Sequence, residues 1–143
     1  MPETSEDQHI IDCDADPVFL EKWSIEEHKK NGQIEWDASK VVLYLSEVQK
    51  EGDGLITGND LHAKLAQQSV FNACILDYLL AHPELIPEEW KDKCVFFWGT
   101  IYRDARGSLC VRCLCWSDDE WRWYSRGLEF DFKSSDPAAV LCE

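Results

Sequence analysis

The cysteines of this chain are the residues best suited to metal or redox chemistry, and three of them lie close together at Cys110, Cys113 and Cys115. Side chains alternate across a strand, so Cys110 and Cys113 would point to opposite faces and only Cys113 and Cys115 would share one. Zinc needs four converging ligands, and the chain has no second CxxC pair to supply them. The sequence therefore predicts neither a metal site nor a cofactor, although Cys94 can approach Cys115 across a hairpin as a thiol pair.

A second candidate is the segment 49–60, whose later part resembles an EF-hand loop with Asp53 and Gly54 at positions five and six. A calcium loop depends on carboxylates at positions one, three and five and on a bidentate glutamate at position twelve. This segment has Gln49 at position one and the shorter Asp60 at position twelve, and no second hand is present. We interpret it as an ordinary glycine-rich turn, with calcium binding as the alternative.

Histidines and known motifs give no coherent catalytic site. The four histidines are scattered through the first 82 residues, and the chain contains no nucleophile elbow, phosphate loop or HExxH motif. The segments 59–67 and 69–81 have helix-turn-helix proportions, but residues 69–82 contain no Lys or Arg to meet phosphates. The sequence therefore favours a protein that is not an enzyme over one that is, and it disfavours nucleic-acid binding.

Charge is divided unevenly along the 143 residues, whose net charge is −14. Residues 1–92 contain 20 acids and 7 bases, whereas residues 93–143 contain 8 acids and 7 bases, including all five arginines. An excess of acid disfavours contact with phosphate backbones and keeps a protein dispersed. No apolar run approaches the ~20 residues of a membrane span, and no basic and then apolar leader opens the sequence. A cytoplasmic location with reduced cysteines is expected.

The spacing of apolar residues predicts helices in the first part of the chain. Residues 1–16 are typical of an acidic flexible tail. Apolar stripes, capping residues and helix breakers then predict helices over 17–30, 37–50, 59–67 and 69–81.

The pattern changes after residue 92, where aromatic and β-branched residues alternate between turn signals. It predicts strands over 94–103, 108–116 and 121–126, with a fourth near 128–132. The expected fold class is α+β, with an N-terminal helical half packed on a C-terminal antiparallel β-meander of 3-4 strands. The single domain spans 17–143, and its parts are the helical part 17–92, the β-sheet part 93–132 and the closing tail 133–143.

Pairing Trp116 with Trp121 and Arg103 with Ser108 assigns the sheet residues to two faces, neither of them plainly polar. In this register Thr100 and Tyr102 share a face with Cys113, and Ile101 shares the other face with Arg112. An exposed sheet of aromatics and arginines suits protein contacts, which Trp, Tyr and Arg dominate. Core packing on both faces is the interpretation left open beside it. The predicted binding residues are Trp98, Arg112, Trp116, Trp121, Arg122, Trp123, Tyr124 and Arg126.

Several strings resemble a module that recurs in predicted bacterial proteins, many of them from candidate phyla. They are residues 76–91 (LDYLLAHPELIPEEWK), residues 95–103 (VFFWGTIYR), the strand 110–116 and residues 137–140. The resemblance extends from about Asp37 to Val140. The module has no assigned activity, so the resemblance implies a bacterial origin but no site.

Three functions are consistent with these features. The leading hypothesis is a protein-interaction domain that binds an unidentified protein partner through the arginine- and tryptophan-rich sheet. The first alternative is an acidic protein that imitates nucleic acid and inhibits a nucleic-acid-handling protein, suggested by the acid excess of residues 1–92. The second is an enzyme that binds a small molecule or a sugar, which would need a deep pocket with a perturbed carboxylate or histidine.

Overall fold

A computed structural model describes residues 9–15, 20–30, 32–51 and 54–141, and these residues form a mainly β architecture. Seven of the strands form one mixed sheet, and the others pair in two small sheets. The strands are β1 Ile10–Asp12, β2 Ser24–His28, β3 Gln33–Glu35, β4 Val41–Tyr44, β5 Ile56–Thr57, β6 Val95–Phe96, β7 Thr100–Arg103, β8 Leu109–Ser117, β9 Glu120–Gly127, β10 Asp131–Phe132 and β11 Ala138–Leu141.

The helices among these residues are short. The α-helices are α1 Glu47–Lys50, α2 Gly58–Lys64 and α3 Ala73–Ala81, and single 3-10 turns lie at Ala38–Lys40, Leu65–Gln67, Pro83–Leu85 and Glu88–Asp92. In the part of the chain that the structure describes, no helix has the length and apolar content needed to cross a bilayer.

Strand β8 is the centre of the large sheet. On one side it pairs with β9, and on the other it pairs with β7 along its first half and with β6 along its second half. Strand β2 extends the sheet beyond β7, and β11 and then β4 extend it beyond β6. Strand β11 runs parallel to β6. The segment predicted as a closing tail thus contributes an interior strand of the sheet.

The predicted fold class is wrong, because the N-terminal half is not helical. A helix was expected over 17–30, but β2 pairs there with β7, with Ser24 opposite Arg103. A helix was also expected over 37–50, but β4 occupies its centre and pairs with β11. Helix propensity differs by less than about 1 kcal/mol between ordinary residues, so pairing with a distant strand outweighs it. Of the expected tail, residues 1–16, positions 1–8 and 16 lie outside the described residues. In the rest, β1 pairs with β3, and Ile11 and Cys13 are buried.

The predicted helices over 59–67 and 69–81 are confirmed in their main parts by α2 and α3. The side chain of Asn72 caps α3 by accepting a hydrogen bond from the backbone N–H of Cys74 (3.0 Å). The helix ends at Ala81, just before Pro83, whose ring disfavours helical geometry in the preceding residue. Its buried residues Ile75 and Leu79 belong to the apolar core on one face of the sheet.

Apolar side chains cover both faces of β8. One core cluster contains Phe96, Val111 and Phe132, and the cluster on the opposite face contains Val95 and Leu114. Because both faces of β8 are buried, the amino-acid sequence of this strand is a nearly continuous apolar run instead of an alternation of apolar and polar residues. Strand β9 differs, because five of its eight residues are exposed.

The segment that resembles an EF-hand loop has a structural role at its first position. Gln49 is fully buried, and its amide donates hydrogen bonds to the carbonyls of Lys133 (3.0 Å) and Asp136 (3.2 Å). Its Oε1 accepts from the backbone N–H of Ser46, which completes a capping box at the start of α1. Gln49 therefore joins α1 to the segment before β11 and is not directed at a cation. Asp53 lies outside the described residues.

Candidate functional site

The β8–β9 hairpin carries seven of the eight predicted binding residues, all except Trp98, and defines the candidate site. Asp118 and Asp119 form its two-residue turn, and both have positive φ, 55° and 65°. Such a turn matches the natural twist of paired strands. The predicted pairing of Trp116 with Trp121 is confirmed.

The predicted register of the other hairpin is wrong. Arg103 lies opposite Leu109 instead of Ser108, whereas Phe96 lies opposite Cys113. The segment Phe97–Gly99 therefore bulges out between β6 and β7. Consequently Tyr102 lies on the face of α3 and Ile101 lies on the face of Cys113, the reverse of the predicted assignment.

The bulge packs closely at Gly99 against the residues that precede α3. A Cβ at this position would lie 2.7 Å from the Cα of Asn72, inside any tolerable contact. The backbone N–H of Gly99 donates to the carbonyl of Phe71 (2.8 Å), and the Thr100 hydroxyl accepts from the N–H of Ala73 (2.9 Å). The bulge thus fixes the start of α3 against the sheet.

Two of the predicted binding residues, Trp98 and Arg112, are core residues instead. Trp98 is 1% exposed and packs against Phe132, at 5.4 Å between ring centroids, and under His62, at 5.9 Å. Arg112 is also 1% exposed. Neither side chain is available to a partner. Alternation along a strand separates the two faces but does not say which face neighbouring elements cover.

Arg112 joins the sheet to α3. Its guanidinium donates to both carboxylate oxygens of Asp77, at 2.9 and 3.2 Å, and to the Tyr102 hydroxyl at 3.4 Å. The ring of Trp123 lies 4.2 Å from the guanidinium carbon. One planar cation is therefore held by a bidentate ion pair on one side and an aromatic face on another.

The other predicted binding residues lie on or beside β9 and reach solvent. Arg122, Trp123 and Tyr124 are exposed, and the last two are 36% and 46% accessible. Trp116, Trp121 and Arg126 are half-buried. These six residues lie along the β8–β9 hairpin, and we call them the β9 strip. Trp116, Trp121 and Trp123 lie on the face of Arg112, whereas Arg122, Tyr124 and Arg126 lie on the face of Cys113.

The outer edge of β9 offers backbone groups as well as side chains. Among the described residues, β9 pairs with β8 alone. The pair that closes a two-residue turn is hydrogen-bonded, and bonded and non-bonded pairs then alternate along the ladder. Counting from Ser117 and Glu120, the N–H and C=O groups of Trp121, Trp123 and Ser125 point away from β8.

A groove of about 670 Å³ lies at the end of β9. It is lined by polar residues of the β7–β8 turn, among them Asp104 and Arg106, and by Ser125 and Arg126 of β9. Phe130 forms an apolar wall and is 58% exposed. The groove therefore continues the β9 strip past the end of the strand.

Beneath Arg126, three thiols converge on the opposite face of β8 from Arg112. The Sγ atoms of Cys94, Cys113 and Cys115 all lie within 4.8 Å of one another. The sequence predicts the shared face of Cys113 and Cys115 and the approach of Cys94 to Cys115, and the structure confirms both. Arg126 is held here by Asp136, whose carboxylate is almost fully buried and accepts its hydrogen bond at 2.7 Å.

A second group of thiol and imidazole side chains was missed by sequence reasoning. His28 bonds the Thr100 hydroxyl through Nδ1 (2.8 Å) and the Ala15 carbonyl through Nε2 (3.0 Å), with the Cys74 sulfur 3.8 Å from Nε2. These partners lie 13 to 72 positions from His28, so no local spacing signals their meeting. Both ring nitrogens are engaged, one by the Thr100 hydroxyl of β7 and the other by the exposed Ala15 carbonyl, which gives His28 a structural role.

Comparisons of the chain with protein-family models, with curated proteins and with solved structures gave no significant match. The resemblance to a recurrent bacterial module stays a prediction.

Proposed function

We propose that this protein is a protein-interaction domain that binds an extended segment of a partner protein by strand addition at β9. The observation that carries the proposal is the open edge of β9 together with its exposed aromatic side chains. In strand addition, backbone hydrogen bonds provide affinity, and pockets for alternate side chains provide specificity. The cytoplasmic location expected from the sequence is part of this proposal.

Strand β9 is better suited to this role than the other two edge strands of the sheet. It has eight residues, whereas β4 has four and β2 has five with a register shift between Ile25 and Glu27. A bulge is one of the devices that protect an edge from pairing. Only β9 combines a regular ladder with exposed Trp and Tyr, the residue types that dominate interface energies.

The geometry also indicates the chemistry of the partner segment. Trp121 and Trp123 lie on one face of β9, so alternate side chains of an added strand would lie beside apolar rings. Past Ser125 the segment would enter the groove against Phe130. The partner segment is therefore extended, with apolar side chains at alternate positions on one face.

Amide hydrogen exchange measured by NMR tests whether this edge is open. We expect the amides of Trp121, Trp123 and Ser125 to exchange at least about tenfold faster than those of Arg122 and Tyr124, because only the latter are bonded to β8. Uniform protection along β9 in the dilute monomer would contradict the proposal, since it would mean that the edge is already covered.

Ser125→Pro tests the binding mode. Proline at this position removes an outward N–H while leaving the β8–β9 ladder intact, and proline is tolerated on edge strands. Peptides selected from a random library for binding to the wild-type protein should bind Ser125→Pro at least about tenfold more weakly. This change corresponds to a loss of ~1.4 kcal/mol in binding free energy. The matched control, Ser125→Ala, should bind them as the wild type does.

Two results would overturn this assignment. One is equal affinity of the selected peptides for Ser125→Pro and wild type, with unchanged circular dichroism. The other is a concentration-dependent dimer in sedimentation that Ser125→Pro abolishes, which would assign the β9 strip to self-association instead of a different protein.

A further inference from the structure

The three converging thiols lie on strands that place two of them directly opposite each other. Val95 pairs with Leu114 and Phe96 pairs with Cys113, so this antiparallel register puts Cys94 across from Cys115. The Sγ atoms of Cys94 and Cys115 are 2.7 Å apart, and those of Cys113 and Cys115 are 3.6 Å apart. Directly opposed residues of an antiparallel pair have Cα atoms about 4.5–5.5 Å apart. A disulfide accepts Cα separations of about 4.4–6.8 Å.

The three cysteines differ in their access to solvent. Cys94 is half-buried, whereas Cys113 and Cys115 are 3% and 7% exposed. A reagent from solution therefore meets Cys94 first. Cys115 is shielded behind it, within reach of its sulfur.

The surroundings of Cys94 favour its thiolate. Hydrogen bonds from Cys113 and Cys115, together with the positive charges of Arg126 and Lys133, lower the pKa of Cys94 to about 3 against the opposing effect of burial. Hydrogen bonding to Cys115 and Cys94, and burial, raise the pKa of Cys113. For Cys115 the hydrogen bond with Cys113 acts to lower the pKa, but the bond to Cys94 and burial outweigh it and raise the value to about 12. The Cys94 thiolate is thus stabilised by hydrogen bonds from the thiols of Cys113 and Cys115.

A dithiol explains this cluster better than a metal ion does. A structural zinc takes four protein ligands, and among the described residues the group of potential ligands contains only these three sulfurs. Arg126 and Lys133 would repel a cation. An accessible cysteine in an electropositive setting beside a second cysteine is instead the arrangement of reactive thiols.

We propose that Cys94 and Cys115 form a redox-active dithiol that reacts with low-molecular-mass disulfides, with Cys94 as the nucleophile and Cys115 as the resolving thiol. This activity is independent of strand addition at β9.

The reaction balances as two exchange steps. The Cys94 thiolate attacks one sulfur of R–S–S–R, which forms Cys94–S–S–R and releases the thiolate RS⁻. Cys115 then gives up its proton to solvent and attacks the Cys94 sulfur, which forms the Cys94–Cys115 disulfide and releases the second RS⁻. The two protein thiols lose two electrons, and the small disulfide gains them and becomes two thiols.

The test exposes the folded protein to oxidised glutathione, blocks remaining thiols by alkylation and maps the peptides by mass spectrometry. We expect a Cys94–Cys115 disulfide in the wild type. Cys115→Ser should accumulate the Cys94–glutathione mixed disulfide, because its resolving thiol is missing, and Cys94→Ser should leave Cys115 reduced. The matched control Cys110→Ala, on the opposite face of the same strand, should behave as the wild type does.

The pH dependence supplies a readout that burial alone would not produce. The rate of modification of an ordinary thiol rises about tenfold per pH unit below its pKa, because only the thiolate reacts. Because the pKa of Cys94 is lowered to about 3, we expect this thiol to stay ionised throughout pH 5.5–8, and its rate should change less than about threefold over that range.

Two results would overturn the proposal, and both use the wild-type protein, so they do not depend on any variant folding. The first is recovery of Cys94 and Cys115 as alkylated free thiols after incubation with excess oxidised glutathione. The second is stoichiometric binding of Zn²⁺ from equimolar zinc chloride with all three thiols protected from alkylation, which would make the cluster a metal site.

Discussion

Trp98→Ala is expected to lower the free energy of unfolding by about 3–5 kcal/mol, the usual range for a large aromatic removed from a core. Trp98 is 1% exposed and lies between His62 and Phe132 in the cluster between α2 and the sheet. Its loss would leave a cavity that cannot collapse, because the bulge that carries Trp98 is fixed at Gly99 against Phe71 and Asn72. Urea denaturation followed by circular dichroism measures the effect.

Two comparison variants make this prediction specific. Trp98→Phe should cost less than half as much, because it keeps most of the ring and removes a buried Nε1–H that has no hydrogen-bond partner among the described residues. Trp123→Ala should lower the free energy of unfolding by only about 0.5–2 kcal/mol, the usual range for a cation–π contact such as the one between Trp123 and the Arg112 guanidinium. A loss below about 1 kcal/mol for Trp98→Ala would mean that this side chain is exposed, as the sequence-based assignment to binding supposed.

Asp77→Ala is expected to destabilise the protein by about 3–5 kcal/mol, because it leaves the guanidinium of Arg112 buried without its counterion. The side chain of Arg112 is 2% exposed and that of Asp77 is 23% exposed. The Tyr102 hydroxyl and the Trp123 ring remain as partners but carry no full charge. Thermal and urea unfolding measure the change.

The surface ion pair between Glu26 and Arg103 is the matched control. Its closest contact is also 2.9 Å, but both side chains are more than 40% exposed. Glu26→Ala should therefore cost less than about 1 kcal/mol. The double variant Asp77→Ala/Arg112→Met should recover much of the lost stability, since an apolar side chain of similar length replaces the orphaned charge. Equal losses for Asp77→Ala and Glu26→Ala would show that Arg112 reaches water.

Both predictions concern residues that stand out in the sequence, Trp98 in the first and the Asp77–Arg112 pair in the second. Local patterns do not predict that these residues are buried or which partners they contact. Asp77 is the one acidic residue in the stretch 69–82, which contains no Lys or Arg and has apolar residues on both sides of this position. Arg112 lies between apolar residues of β8 in the same way. Asp77 and Arg112 lie 35 residues apart in the chain, and no local pattern specifies that these two charged side chains form a pair.

The sequence by itself determined the parts of this protein that depend on neighbours along the chain. The β8–β9 hairpin follows from alternating residues around an Asp-Asp turn, and α3 follows from its cap, its apolar spacing and Pro83. The shared face of Cys113 and Cys115 follows from the period of a strand. Each of these depends on contacts within one element or one hairpin.

The tertiary structure alone decided the rest, because long-range pairing and burial are set by elements far apart in the chain. Strands β2 and β4 form where local patterns favour helices, since β7 and β11 offer them partners about 80 and 100 residues away. The bulge at Phe97–Gly99 reassigns Tyr102 and Ile101 to opposite faces because Gly99 must fit against Asn72. Burial by surrounding elements removes Trp98 and Arg112 from the candidate surface, so the proposed interaction site contracts to the β9 strip.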